Sequence, residues 1–440
     1  MDIHLFSLLI IAVPFLGAFF LFILREKVCE LFISLFFTCA IIFSILILHT
    51  ISRENIYGHF IVGKSSVFSL LFLVDNLGAM LTLLFAFLFL IVFFYALPYI
   101  DRKTFREYYF TLAFIFGGLA GAVYSDNLLL YYIFYEIIIY SLWRMRNISH
   151  FEEPTNFVIQ FSGSALLLTG IILIYRYTGT LNILELQEMT ITGLIYSIIF
   201  IGLIIKSGLI SFYFAQLRVS FSRDIGFSTI ESCVLPIVPI ILFIRLAKSA
   251  NPTLTWILIF SICIMWLGAI RTYLAHNFDD ILAYSVLAHV GVILLTANIL
   301  SKISTSSTLL YTFVFVIGQT GLTFGLDTLK KYGTNKLVEI GISLNLFALA
   351  GFPPFGGFFA KYFTILVAVS KNYNLIAFFV AISMVILALA YTRLFYKLFI
   401  KRSLSFKKTQ SHYNSSFVIF LGIISLLLGI FAKFLWLEGG

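Results

Sequence analysis

Residues 349–361 read Leu-Ala-Gly-Phe-Pro-Pro-Phe-Gly-Gly-Phe-Phe-Ala-Lys, and the apolar run continues from Tyr362 to Val367. This stretch is apolar enough for a bilayer, but its prolines and glycines interrupt a helix and it carries Lys361. Interrupted backbone is tolerated in a membrane only where it is buried in protein or lines a cavity. A lysine at that depth is costly unless it faces the bundle interior, water or a partner charge. The stretch therefore predicts an ion-handling element inside a membrane bundle.

The composition of the whole chain agrees with a membrane location. Of the 440 residues, 61% are hydrophobic and 11% are charged, and the mean hydropathy is +1.05. These values lie far outside the range of soluble domains. We therefore predict an all-α polytopic membrane protein that forms one integral membrane domain over residues 1–440.

Apolar runs long enough to cross a bilayer recur from end to end, and we count about fourteen. The first lacks a basic start and a small-residue cleavage site, so we predict a span there and not a signal peptide. The twelfth is the interrupted stretch described above. The predicted spans are 3–24, 28–50, 75–99, 107–124, 127–145, 155–177, 191–214, 227–247, 253–271, 280–300, 307–328, 338–370, 373–397 and 415–436.

The basic residues distinguish the two sides of the predicted bundle. Of the 29 lysines and arginines, most lie in loops after odd-numbered spans, and we call that side the basic side. It is expected to face the cytoplasm or the mitochondrial matrix, with both termini on the opposite side. The net charge of +9 then reflects topology and contact with anionic lipids such as cardiolipin, and not nucleic-acid binding.

The sequence contains no recognisable motif for a cofactor or a metal. Its four cysteines, Cys29, Cys39, Cys233 and Cys263, are scattered through apolar spans without metal or redox spacing. A phosphate-binding glycine loop and an iron–sulfur cysteine cluster are both missing. We expect no metal and no cofactor in this chain, so that any redox chemistry belongs to a partner.

Glu136 and Lys206 are ionisable residues near the middle of the fifth and seventh spans. Charged groups at that depth are rare and usually mark ion routes. Ser207 and Gly208 follow the lysine and can loosen the helix there. Because the charge of a buried acid or lysine depends on its neighbours, such a pair can exchange protons. The alternative is a static polar contact that holds two helices together.

His289 lies about ten residues into the tenth span, and its imidazole suits a proton relay. A packing histidine with satisfied hydrogen bonds explains it equally well. Glu231, near the start of the eighth span, is a further candidate for proton translocation or an interfacial residue. The other charged residues near span ends are interpreted as interfacial or snorkelling groups: Asp75, Asp327, Arg176 and Arg245.

Glu136, Lys206, His289 and Lys361 thus occupy separate spans, and each half of the chain has one lysine-bearing span interrupted by Gly or Pro. This pattern is typical of transporters built from inverted repeats, with ion sites near the middle of the membrane. The residues alone therefore predict ion translocation, and most simply proton translocation.

Over residues 75–400 the sequence resembles the antiporter-like subunits of respiratory complex I and of multisubunit cation/proton antiporters. Glu136 and Lys206 match a gating pair of that family. Residues 279–291, Asp-Asp-Ile-Leu-Ala-Tyr-Ser-Val-Leu-Ala-His-Val-Gly, are similar to its Lys-x-x-x-(Ala/Gly)-Tyr-Ser-Ser-(Ile/Val)-x-His-x-Gly. The resemblance implies fourteen helices with two inverted five-helix repeats and broken helices 7 and 12. It assigns helices 1–3 to 1–106, the repeats to 107–247 and 253–399, and a basic loop with the last helix to 400–440.

Residues 350–362 resemble subunit 2 of complex I, whose pattern is Gly-(Leu/Ile/Phe)-Pro-Pro-x-x-Gly-Phe-x-x-Lys. Subunit 4 carries glutamate in the twelfth helix, and subunit 5 carries a long lateral helix at its C-terminus. The resemblance implies a proton-translocating membrane-arm subunit of NADH:ubiquinone oxidoreductase, which partners other membrane-arm and accessory subunits. FMN, iron–sulfur clusters and ubiquinone would lie in those partners.

The heavy use of Phe and Tyr, 51 and 23 residues, favours an A+T-rich genome such as that of an organelle. Together with the resemblance, it predicts the mitochondrial inner membrane, with a bacterial plasma membrane as the alternative.

The sequence departs from the family at two places. A proline followed by His-x-Trp-x-Pro is replaced by Ser-Phe-Tyr-Phe-Ala-Gln-Leu-Arg at 211–218, and the lysine expected near Pro236 is missing. The path from Lys206 to the second half therefore runs through water, runs through His289, or is absent. Three other functions stay open: a subunit of a sodium/proton antiporter, the subunit 4 type of complex I, and a degenerate structural subunit.

Overall fold

The described part of the chain consists of α-helices and one short β-hairpin. The computed structural model describes residues 3–23, 26–54, 58–62, 70–148, 154–209, 224–246, 255–299, 301, 303–333, 335–400 and 412–437. In the N-terminal half the elements are α1 (Ile3–Phe20), α2 (Glu26–Glu54), β1 (Gly58–Val62), β2 (Leu70–Val74), α3 (Asn76–Ala96), α4 (Phe105–Tyr124), α5 (Leu128–Ile148), α6 (Pro154–Thr178), α7 (Ile183–Gln187) and α8 (Gly193–Lys206). The remaining helices are α9 (Ile225–Cys233), α10 (Val238–Leu246), α11 (Thr255–Leu274), α12 (Phe278–Asn298), α13 (Ser304–Tyr332), α14 (Lys336–Ala350), α15 (Gly356–Ser370), α16 (Asn374–Phe395) and α17 (His412–Leu437), with a π-helical turn at Tyr396–Ile400.

The predicted membrane class is confirmed. Within the described residues, eleven helices are long and apolar enough to cross a membrane, and Gly193–Lys206 and Gly356–Ser370 are shorter apolar helices. A helix, or a pair of helices, lies at the position of every predicted span. The sequence analysis did not predict the hairpin, whose antiparallel register joins Gly58 to Val74 and Val62 to Leu70. Its two apolar runs are only five residues long, which suits strands and not spans.

The chain divides into two compact units. The first unit consists of Met1–Gly208 and Ile241–Thr253, and the second of Leu209–Ile240 and Leu254–Gly440. Helix α10 begins in the second unit and ends in the first. The repeat boundaries given above remain a prediction.

In the first unit, backbone hydrogen bonds connect the hairpin to two segments that join helices. Strand β2 pairs through Phe72 with Ser125, and Asn127 pairs with Asn182 next to α7. The backbone NH of Asp126 donates to the carbonyl of Leu71 at 2.9 Å. These hydrogen bonds tie the hairpin, the turn between α4 and α5, and the segment that leads into α8. They fix the beginning of α5, the helix that carries Glu136.

In the second unit, α11 packs closely against α12, and α17 packs against α13 and α14. Most residues of α12 and α13 are buried inside the unit. Hydroxyl and amide side chains of these two helices are therefore enclosed by protein and must find hydrogen-bond partners there.

The twelfth span is broken as predicted. Helix α14 ends at Ala350, and Gly351 adopts a left-handed conformation with φ of +83°. Its NH donates to the carbonyls of Phe347 and Ala348, which closes the helix before a loop leads to α15 at Gly356. A side chain is strained at such a φ, so glycine suits this position.

The seventh span also breaks, although the family's proline is missing. Helix α8 ends at Lys206, and Ser207 and Gly208 form a turn in which Gly208 has φ of +73°. Fourteen residues span only about 21 Å, less than a hydrocarbon core. The departure at 211–218 lies outside the described residues. The eighth span contains an interruption that we did not predict, a turn at 234–237 between α9 and α10 that includes Pro236.

Substitution of Gly357 by alanine is expected to destabilise the break in the twelfth span. A Cβ atom there would lie 1.7 Å from the carbonyl oxygen of Ala348, and this backbone contact cannot relax by a side-chain rotation. We expect a loss of about 3 kcal/mol, the upper end of the range for overpacking. Thermal unfolding of the purified protein measures it. Val369→Ala, which trims an exposed side chain on the same helix, serves as the control, and an equal effect of both variants would contradict the prediction.

Candidate functional site

The first unit brings Glu136 and Lys206 into direct contact. Lys206 ends α8, and its Nζ donates to Glu136 Oε1 on α5 at 2.6 Å. The lysine side chain is 0% exposed and the glutamate side chain 33%. A buried charge needs a close partner of opposite charge. Here the Lys206 ammonium and the Glu136 carboxylate are partners of each other. The pair is predicted to alternate its charge states, and its geometry places one proton donor and one acceptor in hydrogen-bond contact.

The pocket around the Lys206 amine is completed by α5 and α6. Lys206 Nζ also donates to Ser164 Oγ at 2.8 Å and lies 4.9 Å from the ring centre of Tyr135. The negative face of an aromatic ring favours a cation. Gly163 leaves room for the lysine stem, because a Cβ there would lie 2.8 Å from Lys206 Cγ. These neighbours stabilise the cation without a second carboxylate among the residues described around it.

Glu136 also lines a groove of about 680 Å³ in the first unit. Tyr132, Glu136, Tyr140 and Arg144 line it from successive turns of α5, and four phenylalanines of α1, of the turn that follows it and of α4 form part of the remaining wall. Towards the basic side, Arg144 forms an ion pair with Glu107 of α4. The Glu136 carboxylate therefore reaches Lys206 on one side and the groove on the other. This arrangement allows it to receive a proton from one side and pass it to the other.

Lys361 is buried in α15 of the second unit. Its Nζ donates to the carbonyl oxygen of Ala350 at 2.6 Å, across the break in the twelfth span. Ala350 ends α14, and the carbonyl end of a helix is favourable for a cation. Gly351 lies against the lysine, since a Cβ there would lie 2.6 Å from Lys361 Cδ. The broken backbone and the lysine are thus one structural element, as the sequence indicated.

His289 is buried in α12 and is bracketed by two tyrosines. Its Nδ1 lies 3.1 Å from the hydroxyl of Tyr311 on α13, and its Nε2 lies 2.9 Å from the hydroxyl of Tyr391 on α16. Lys361 lies within electrostatic range of the imidazole. Both ring nitrogens are therefore engaged, which is compatible with a proton relay and with a packing histidine.

The two acidic candidates of the second unit are both enclosed. Glu231 lies in α9 among buried residues. Asp327 is buried in α13, and its Oδ2 lies 2.9 Å from Nζ of Lys331, one turn further along the helix. Asp327 is therefore a buried acid that contacts a half-exposed lysine on the basic side.

The interpretation of Arg245 as a snorkelling residue was wrong. Arg245 is 4% exposed in the first unit, where Nη2 lies 3.2 Å from Asp75 Oδ1 and Nη1 donates to the carbonyl oxygen of Ser125 at 2.7 Å. Asp75 also caps α3 by accepting from the NH of Gly78. These contacts join the beginning of α3 and the end of α4 to the end of α10. Arg245 and Asp75 are 170 residues apart, so only the tertiary structure pairs them.

Substitution of Arg245 by methionine is expected to destabilise the first unit by about 3 kcal/mol, since it leaves the partner of a buried charge uncompensated. Thermal unfolding of the purified protein measures this loss. Arg176→Met is the matched control, because Arg176 is exposed at the end of α6. An equal unfolding temperature for the two variants would show that the pair adds nothing to stability.

Four residues of these sites were missed by the sequence analysis: Ser164, Tyr135, Tyr311 and Tyr391. Serines and tyrosines are common in apolar spans of this chain, so their types alone carry no signal. Tyr135 differs from the other three in directly preceding Glu136, and this position could have drawn attention to it. The helical period, however, places neighbouring residues on different faces.

The family model for the transmembrane region of NADH:quinone oxidoreductase and Mrp antiporters matches residues 125–387. Subunit N of the NADH-quinone oxidoreductase from a Wolbachia species of Brugia malayi is 26% identical, over 72% of this chain and 74% of the relative. A Na(+)/H(+) antiporter subunit of Alkalihalophilus pseudofirmus is 25% identical, over 73% of this chain and 71% of the relative.

Solved structures show the same fold. A chain in the Mrp complex from Dietzia sp. DQ12-45-1b superposes with a TM-score of 0.86 at 16% identity, covering 100% of this chain and 97% of that one. A chain of respiratory complex I from Thermus thermophilus gives a TM-score of 0.78 at 17% identity, with 97% of each chain covered. The predicted antiporter-like fold is thereby confirmed.

Proposed function

The chain belongs to the NADH:quinone oxidoreductase/Mrp antiporter transmembrane family, and from this we propose that it is a proton-translocating membrane-arm subunit of NADH:quinone oxidoreductase. The observation that carries the proposal is the contact between Lys206 and Glu136, two ionisable groups at bilayer depth, 2.6 Å apart. The relatives named as subunit N of that enzyme support the choice of complex. The motif around Lys361 supports the subunit 2 type.

The proposed role of this chain is to change the protonation of buried groups in turn. While Lys206 is cationic, it holds Glu136 as a carboxylate, and Ser164 Oγ accepts a second hydrogen bond from the ammonium. Protonation of Glu136 from the groove removes the attraction and favours release of a proton from Lys206. Lys361 and His289 are proposed to carry out the corresponding exchange in the second unit.

The work for this cycle must come from outside the chain. Moving one charge across about 100 mV costs about 2.3 kcal/mol. Coupling requires that a partner's state changes the relative stability of two states of this chain. Electron transfer from NADH to quinone, with FMN and iron–sulfur clusters, would take place in partner subunits, and this chain would be an enzyme only as part of that complex.

A second candidate is a subunit of a multisubunit cation/proton antiporter. The TM-score of 0.86 with a chain of the Mrp complex and the similarity to a Na(+)/H(+) antiporter subunit favour it. The buried Glu–Lys pair would serve both functions, so partners decide between them. The subunit 4 type of complex I and a degenerate structural subunit are the remaining alternatives. Lys361 argues against the subunit 4 type, which carries glutamate in the twelfth helix.

For the location we propose a bacterial plasma membrane in place of the mitochondrial inner membrane. The relatives that resemble this chain and carry the subunit N name are bacterial. The use of Phe and Tyr, on which the organelle prediction rested, reflects base composition and not compartment. Contact with other membrane-arm subunits, accessory subunits and cardiolipin is part of the same proposal.

Gentle native purification from the source membrane, followed by mass spectrometry, tests the assembly. We expect one large particle that contains NADH dehydrogenase subunits with flavin and iron–sulfur clusters. A small particle of antiporter-type subunits without redox proteins would overturn the assignment to complex I and favour cation/proton exchange.

A further inference from the structure

Helix α13 carries a row of residues at intervals of four, each slightly more than one turn from the next, so that the row winds slowly around the helix. We call Ser307, Tyr311, Phe315, Gln319, Thr323 and Asp327 the α13 row; Lys331 follows it on the basic side. All six members are buried. From Ser307 to Asp327 the helix rises about 30 Å, the thickness of a hydrocarbon core. Five of the six are polar, which is costly in the interior of a membrane bundle unless they serve structure or transport.

The one apolar member, Phe315, is bypassed by residues of two other helices. The imidazole of His289 lies beside its ring, with the ring centres 5.7 Å apart and the planes tilted by 39°. Its two nitrogens hydrogen-bond to Tyr311 and Tyr391. Ser285 lies near the Tyr391 hydroxyl. Its Oγ donates to the carbonyl oxygen of Leu282 at 2.8 Å and lies 3.5 Å from Gln319 Oε1. The bridge Tyr311–His289–Tyr391–Ser285–Gln319 therefore connects the row on either side of Phe315.

The two ends of the α13 row carry different groups, an acid at the basic side and a hydroxyl at the opposite end, and this difference is compatible with a proton path. At the basic side, the buried Asp327 contacts Lys331, whose side chain is 34% exposed. At the opposite end, the hydroxyl of Ser307 is buried and has no hydrogen-bond partner among the described residues. An unpaired hydroxyl in a buried position is unfavourable and is ready to bind water.

We propose that the α13 row, bridged past Phe315 by Ser285, His289 and Tyr391, is the proton path through the second unit, with Asp327 as its basic-side end. The proposal rests on the proposed function, that this chain moves protons. It assigns functions to Asp327, Gln319, Tyr311 and Tyr391, which the Glu–Lys sites do not include.

Each transfer in this path conserves protons. Tyr391 passes its hydroxyl proton to Nε2 of His289 while Nδ1 of the same ring passes its proton to Tyr311. Tyr391 regains a proton from Ser285, and Ser285 takes one in turn from a water molecule on the Asp327 side. Gln319 Oε1 carries no proton and only accepts a hydrogen bond from Ser285. Tyr311 releases a proton towards Ser307, so that one proton enters and one leaves. Rotation of the hydroxyls and exchange of the two ring nitrogens then reset the bridge. Water molecules would connect row members that are one turn apart.

The alternative is a set of polar contacts that only hold helices together. Removal of single hydroxyl groups distinguishes the two. In Tyr311→Phe and Tyr391→Phe, proton transport per assembled complex is expected to fall by about tenfold or more, in line with the contribution of a positioned proton-transfer group. Tyr196→Phe is the control, since Tyr196 is a buried tyrosine of the first unit without a hydrogen-bond partner among the described residues.

The experiment uses membrane vesicles that contain the whole complex, with proton transport normalised to complex content on native gels. A path defect lowers transport and raises its solvent deuterium isotope effect, whereas a structural defect lowers complex content and leaves the isotope effect unchanged. Ser307→Ala, the smallest change in the row, repeats the test if a Phe variant assembles poorly. Normal transport in these variants with impaired transport in Lys361→Ala would overturn the path alone. Normal transport in Lys361→Ala and Lys206→Ala as well would overturn the proposed function.

Discussion

Replacement of Lys206 by methionine is expected to lower proton transport by about 100-fold, because a positioned proton-transfer group contributes at least that much. Lys206 is the donor in the contact with Glu136, and its pocket provides no other ammonium among the described neighbours. The measurement is the number of protons moved per substrate turnover in sealed vesicles. Complex content is determined in the same preparation.

Lys206→Arg tests whether the charge or the exchange of a proton matters. Arginine keeps the positive charge and can pair with Glu136, but it stays protonated in proteins. We therefore expect Lys206→Arg to assemble better than Lys206→Met while transporting protons equally poorly. If Lys206→Arg transports protons at the normal rate, the pair serves only as a structural contact.

Replacement of Lys361 by alanine is expected to reduce proton pumping while the complex remains assembled. The change removes the ammonium that contacts the Ala350 carbonyl at the break in the twelfth span. That carbonyl can bind water in the space that the side chain leaves, so assembly is affected less than transport. The proton-to-electron ratio during NADH oxidation measures the effect.

Lys371→Ala is the matched control for this variant. Lys371 is the exposed residue that follows α15, ten positions and therefore about 15 Å beyond Lys361 along the helix axis. We expect a normal ratio for Lys371→Ala and a reduced one for Lys361→Ala. A normal ratio for both would show that Lys361 has no part in pumping, and it would favour the degenerate structural subunit.

The break in the twelfth span and the depth of its lysine could be predicted because both depend on local sequence. Glycine and proline act on the backbone of their own segment, and the cost of burying a charge depends on the apolar run around it. The break in the seventh span was harder to predict, since the usual proline is missing and the turn depends on Gly208, which has a positive φ. The interruption at 234–237 was missed because Pro236 lies within an apolar run that continues on both sides.

The position of an ionisable residue along its own helix did not determine its partner. Arg245 looked like a residue at a span end, yet in the folded first unit it is enclosed beside Asp75. The bracketing of His289 by Tyr311 and Tyr391 joins three helices that are separated by loops in the sequence. Such contacts depend on which faces of the helices meet, and a hydropathy profile contains no information on that.

The sequence by itself determined that this is a multi-span membrane protein with ionisable groups at depth and an interrupted, lysine-bearing twelfth span. These properties follow from residue type and spacing within one segment. Only the tertiary structure decided that Lys206 lies between Glu136 and Ser164, that Arg245 pairs with Asp75, and that His289 lies between Tyr311 and Tyr391. The physical reason is that a buried polar group must be satisfied by whatever packs against it, and packing is a property of the whole fold.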